Sequence, residues 1–303
     1  SCKGDIVDLL LFSACLGNIF EEKHLVIIWE ATNKSIPLRH VLDEAVEQLF
    51  FEPVSNSQYR FVHSAVKEAA ISLVSKSDFD KLKHSIGRIL FDSLGDDCPE
   101  RMIFVLANLL NNNSRRDPSV AELNLKAATR AKELAAFSSA AAYAMEGIKK
   151  LPGSSLWDKH MQLTVDLHSV GAEAERCAGN IIQAKIYCST VLQQKNVPTF
   201  AKLRVHTVMI DMLEQGNQMK EALNYCLDAL DNIGCSFPRG SMGQTLQAAL
   251  TLKKAKTPKY IPDNHVVESL APMINKEKRH GMELLEAASS SAYFSGNKIL
   301  VFL

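Results

Sequence analysis

No uninterrupted apolar run among the 303 residues approaches the roughly 18 that a membrane-spanning helix needs, so no membrane contact is expected. No charge of one sign prevails: 34 Lys and Arg stand against 34 Asp and Glu. A balanced chain has no built-in attraction for nucleic acid or for an anionic membrane. The seven cysteines form no C-x-x-C pair and are odd in number, which fits a reduced, cytoplasmic compartment better than a disulfide scaffold. There is no Gly-Lys dipeptide, hence no phosphate-cradling loop of the G-x-x-x-x-G-K-[ST] kind. There is no H-R-D and D-F-G pair and no H-E-x-x-H. The segment therefore shows no complete enzyme, and no catalytic residue, cofactor-binding residue or metal ligand is assigned. Ser1-Cys2-Lys3-Gly4 has no signal-peptide layout, and Ile299-Leu300-Val301-Phe302-Leu303 stops on apolar residues. Both ends read as cut from a longer chain.

What is present is mostly helical pattern, with 47% apolar residues, enough for two or more units. Residues 5–16 carry Ile6, Leu9, Leu10 and Ser13/Ala14 at helix spacing, and Gly17-Asn18 ends that helix. A second helix is expected over 21–32, with Leu25, Ile28 and Trp29 on one face. Pro37 suits the first turn of a third, with Leu38, Val41, Leu42, Ala45 and Leu49 inward. The period then changes. Residues 49–54, the turn-rich Ser55-Asn56-Ser57 and residues 59–62 read as a β-hairpin, and Pro53 confines its strand to a sheet edge. Three helices and a hairpin follow the order of a winged-helix domain. Beyond it, Ser64 is expected to cap a helix with Val66, Ala69, Ala70 and Leu73 on its apolar face. Another helix shows Phe79, Leu82, Ile86 and Ile89/Leu90, a further one spans 99–111, and the polar run 111–118 reads as a loop.

From residue 119 the sequence repeats. "AAAYAMEGIKKLP", "QAKIYCSTVLQQ" and "KEALNYCLDALDNIG" share Ala-x-x-Tyr followed by a small residue, at Ala140/Tyr143, Ala184/Tyr187 and Ala222/Tyr225. The last two follow the Gly-Asn turns at 179–180 and 216–217, and a third such turn stands at 296–297. Helix, turn and helix with a small alanine is the grammar of tetratricopeptide-like hairpins. The alanine lets antiparallel helices approach and the tyrosine ring fills the gap beside it. The tyrosine spacings exceed the usual period of about 34 residues, so the array is irregular. Residues 235–265 interrupt it, and 266–294 resume a helical pattern. The expected fold class is thus all-α: a winged-helix-like module with a short β-hairpin (1–95), a connecting helix and loop (96–118), tetratricopeptide-like hairpins (119–235), then an irregular insertion and a truncated further hairpin (236–303).

This succession resembles part of the large STAND-class, AAA-type signalling ATPases of multidomain sensor kinases. "LLLFSACLGNIFEEKHL" resembles the helix pair after their nucleotide-binding core, and "YRFVHSAVKEAAISLV" the hairpin-to-helix joint of their winged-helix part. "LKHSIGRIL" is similar to the helix that follows. "AELNLKAATRAKELAAFSSAAAYAMEGIKKLP" resembles the first hairpin of their array, and "AYFSGNKILVFL" a later repeat. The resemblance implies a regulatory and protein-interaction segment, not itself an enzyme. It would couple a protein or intramolecular partner to an ATP- and Mg-binding core, with kinase domains, outside this chain. The other reading is a free-standing tetratricopeptide-type adaptor with no ATPase.

The resemblance also singles out His63, which in such proteins contacts the phosphate of the bound nucleotide. An imidazole at a strand–helix joint is able to reach an anion held by another domain. The family pattern has an aspartate next, where this chain has Ser64. The alternative is a histidine hydrogen-bonded locally. Elsewhere, His160 and His168 lie two helical turns apart, too far to share a metal. Cys188 and Cys226 follow repeat tyrosines, which points to packing. The third helix sets Asp43, Glu44 and Glu47 against Arg39, a face that repels phosphates, so nucleic acid is not expected as a partner. The basic run 253–259 and the alanine-rich 135–145 read as a solvated loop and a tightly packed helix.

Overall fold

The computed structural model describes residues 2–95, 98–153, 157–255, 269, 271 and 273–301. The chain is mostly helical with one small antiparallel sheet and divides into two compact units. One comprises Ser1–Arg130 with Glu146–Pro152, the other Ala131–Met145 with Gly153–Leu303.

In the first unit, α1 (Cys2–Leu16) is more deeply enclosed than a one-face pattern predicts: Leu9, Leu10, Leu11, Phe12, Ala14 and Leu16 are all buried. Gly17, at φ 121°, ends it in a conformation that an L side chain rarely adopts. Then follow β1 (Ile19–Glu21), α2 (Glu22–Ala31), α3 (Leu38–Glu47), β2 (Phe51–Ser55), β3 (Gln58–Phe61) and α4 (Ser64–Ser72). The element order is thus helix, strand, helix, helix, strand, strand, helix. The sheet runs β1-β3-β2, so the hairpin acquires a third strand, with Phe20 opposite Tyr59. Three residues are too few to show alternation, and β1 escapes notice in the sequence. Pro53 lies on the edge strand β2, as expected. Phe20, Phe51 and Phe61 meet edge to face beneath the sheet, with ring centroids 4.9–5.9 Å apart.

Three details depart from the sequence reading. Leu49 faces solvent, because it closes α3 in a left-handed turn (φ 59°): its N–H bonds to Val46 O and that of Phe50 to Ala45 O. Ser64 is the first residue of α4, not its cap; His63 holds the cap position, with no side-chain capping bond. Leu73 is exposed beyond the end of this nine-residue helix, whose buried member is Ala70.

The unit continues with α5 (Lys76–Leu94), capped by Ser75 Oγ accepting from Asp78 N at 3.1 Å, and α6 (Glu100–Leu110). Gly87 lets α6 approach α5 closely, since a Cβ there would lie 2.8 Å from Leu109 Cβ. Lys150, 2% exposed, donates to Leu110 O (3.0 Å), Asn113 O (2.6 Å) and Asn113 Oδ1 (3.1 Å). A cation over the last carbonyls of α6 also suits that helix dipole.

The remaining helices are α7 (Pro118–Glu133), α8 (Phe137–Lys150), α9 (Met161–Cys177), α10 (Ile181–Leu192), α11 (Leu203–Gln215), α12 (Met219–Asp231), α13 (Ser241–Ala255), α14 (Lys276–Phe294) and α15 (Lys298–Val301). The division between units falls within α7 and α8. In the second unit Ala140, Ala184 and Ala222 are wholly buried, each on the fourth residue of its helix, and each tyrosine stands on the seventh. Tyr187 is buried, and Tyr143 and Tyr225 are half-buried. At the α9–α10 contact Gly171 supplies the space: a Cβ there would lie 3.2 Å from the Tyr187 ring and 3.4 Å from Ala144 Cβ. The turns close alike. Ala136 bonds to Ala131 O, Asn180 to Glu175 O, Gln218 to Leu213 O and Asn297 to Ala292 O, with left-handed Ala135, Gly179, Asn217 and Gly296. The core of the array end brings Leu223, Cys226 and Leu230 of α12 against Leu284, Ala288 and Ala292 of α14. Of the basic run, residues 256–259 and the side chain of Lys254 lie outside the described residues, as do Phe302 and Leu303 at the chain end.

Candidate functional site

His63 is set by the alternation of β3. Tyr59 and Phe61 point into the core, Arg60 outward, and Val62 N bonds to Phe50 O at 3.1 Å. The chain stays extended through His63 (φ −138°, ψ 143°) and turns into α4 at Ser64. The imidazole is exposed at the positive end of that helix. One turn on, Lys67 reaches Asn18 Oδ1 at 3.1 Å. A donor ring, a lysine and a helix N-terminus thus share one end of α4. On α3, Arg39 is occupied by Asp43 (3.1 Å) and Glu22 (3.4 Å).

The second unit holds a polar feature that the Ala-x-x-Tyr reading missed. His168 of α9 and His206 of α11 each stand 19 residues before a repeat tyrosine and pack on its ring, with centroids 5.7 and 5.6 Å apart. His206 Nδ1 lies 2.8 Å from Tyr225 Oη. Burial, with the neighbouring His280 and Lys202 charges, pushes His206 down to about 4, so the ring is neutral at physiological pH. His168 Nδ1 meets Thr164 O at 2.7 Å, and burial lowers its pKa also. His280 of α14 packs edge-on to His206 at 5.9 Å. The recurrence of His at equal distance before Tyr was the signal available in the sequence. His160 holds the position before α9 rather than lying on it.

Burial pushes the Cys188 and Cys226 thiols up to about 12, so both stay protonated and poorly nucleophilic at neutral pH. Between successive hairpins, Glu173 of α9 accepts from Arg204 of α11 (2.8 and 3.0 Å) and from Lys132 of α7 (2.5 Å). Burial raises the Glu173 pKa, but these two cations outweigh it and hold the carboxyl below the usual range. Arg176 pairs with Asp211 at 3.2 Å. Among the described residues no group of three or more His, Cys, Asp or Glu is placed to hold a metal ion, and no helix is long and apolar enough to cross a membrane. Comparison with family models, curated proteins and solved structures returns no match.

Proposed function

We propose that this chain is a regulatory and interaction segment of a signal-transduction ATPase, coupling partner binding on its helical array to an ATP-binding core outside the chain. The observation that carries this reading is the exposed His63 at the β3–α4 joint of a winged-helix order, beside Lys67 and the α4 N-terminus. Such an end suits a phosphate presented by a neighbouring domain. The array supports the interaction half of the reading. Ile182 and Ile186, one turn apart on α10, are 81% and 50% exposed, an apolar pair available for contact. Nucleotide state and partner binding would then be linked reciprocally.

The test is His63→Ala in the full-length protein, following nucleotide that stays bound through gel filtration. Faster loss of nucleotide is expected; retention equal to wild type ends the sensing role. The adaptor reading separates from this one upstream of Ser1: a phosphate loop within a few hundred residues supports the ATPase, and a start codon near Ser1 supports the adaptor.

A further inference from the structure

His280 is 1% exposed near the start of α14, and neither ring nitrogen makes a hydrogen bond. The Phe200 carbonyl favours its protonated form without meeting hydrogen-bond geometry. An unpaired buried polar group costs about 1–3 kcal/mol, and native proteins rarely keep one that nothing completes. A cavity of 590 Å³ adjoins this ring. Its size falls in the range of small-molecule sites, about 300–1,000 Å³.

The lining of that cavity divides by chemistry. Thr199, Asn232, Lys278 and His280 carry donors, whereas Phe200 and Ile233 are apolar. Asn275, also on the wall, caps α14 by accepting from Lys278 N at 2.9 Å, so the positive end of a 19-residue helix lies at the cavity. Lys276 sits 5.9 Å from the centre of the Phe200 ring. With Glu277 on the wall between Lys276 and Lys278, and Arg279 paired with Glu283 at 3.3 Å, this end carries one net positive charge: enough for a monoanion, and unfavourable for a dianion that must approach Glu277. A second cavity of 800 Å³ shares Met273, Met282 and Leu285 with the first and continues along Leu223, Leu227 and Phe237, with Arg279, Glu283 and Glu286 also on its wall. The two together make a polar head space joined to a mainly apolar trough.

We propose that these joined cavities bind an amphipathic monocarboxylate, a medium-chain fatty acid, with its carboxylate at the α14 N-terminus, His280 and Lys278, and its hydrocarbon in the trough. The inference is independent of the ATPase reading, because the ligand meets only residues of this chain.

The experiment is isothermal titration calorimetry of the 303-residue chain with decanoate and, as the uncharged chain of equal length, 1-decanol. Decanoate is expected to bind at one site at least about tenfold more tightly than decanol, a difference of 1.4 kcal/mol. Met282 is 56% exposed yet lines both cavities, so Met282→Trp should fill the junction without disturbing the core and weaken decanoate about tenfold or more. Lys278→Ala should weaken decanoate and leave decanol unchanged. Circular dichroism checks that each variant keeps its helix content. No heat with millimolar decanoate, equal binding of acid and alcohol, or indifference to Met282→Trp in a folded variant overturns the proposal. Each of these outcomes leaves the nucleotide-retention test of His63 untouched.

Discussion

Leu49 and Ala135 hold left-handed backbone, φ 59° and 56°, which glycine adopts without a steric cost. Both are exposed, so little packing is lost on truncation. Leu49→Gly and Ala135→Gly should each stabilise their unit by about 0.5–1 kcal/mol, read as a raised urea midpoint. The protein's two tryptophans, Trp29 and Trp157, fall one in each unit, so Trp157→Phe and Trp29→Phe backgrounds report the first and second unit separately. His206 makes a second residue-scale prediction. Its pKa is about 4 in the folded chain against an ordinary 6.5, so as the pH falls the unfolded chain takes up the proton first. The stability this neutral ring contributes is whole above about pH 6.5 and drains away between 6.5 and 4, by about 3 kcal/mol in total. His168 and His280, also lowered chiefly by burial, act with the same sign. The urea midpoint of the second unit, followed through Trp157, should therefore fall steadily across that window. A flat profile would mean the histidines are hydrated.

At the scale of elements, the alanine–tyrosine grammar was legible because close helix packing demands a small residue and leaves no substitute for it. Ala184 is fully buried where α10 meets α9, so Ala184→Leu should cost about 1–3 kcal/mol in the second unit by chemical denaturation, despite leucine's good helix propensity. The turns were only partly legible. The Gly-Asn pairs mark three closures, yet the left-handed residue is the glycine at 179 and 296 and the asparagine at 217. The first closure uses Ala135, which no composition rule flags. Strand β1 was hidden for another reason: its pairing to β3 comes from residues some forty positions away, and three residues carry no period of their own. His63 was legible as a histidine at a strand–helix joint. The His–Tyr pairs were less so, since a buried histidine looks in sequence like any polar residue on a helix. His280 and its cavity depend on α12 and α14 meeting across the long stretch between Asp231 and Lys276, which spacing does not reveal.

At the scale of the molecule, the first unit is completed by a short stretch that lies far along the chain, Glu146–Pro152. Lys150 there satisfies the carbonyls of Leu110 and Asn113 from a buried position, and burial lowers its pKa while Glu146 and Asp117 oppose the shift. Lys150→Met keeps the bulk but leaves those oxygens without their donor. It should destabilise the first unit by about 2–3 kcal/mol, read from Trp29 in denaturant, and leave the second unit's transition in place. A ribosome delivers residues in order, so the Leu110–Asn113 end of the first unit is still without its donor while the earlier helices emerge. It has to wait, partly open, until Lys150 has cleared the exit tunnel, by which time the opening turns of the array are already out.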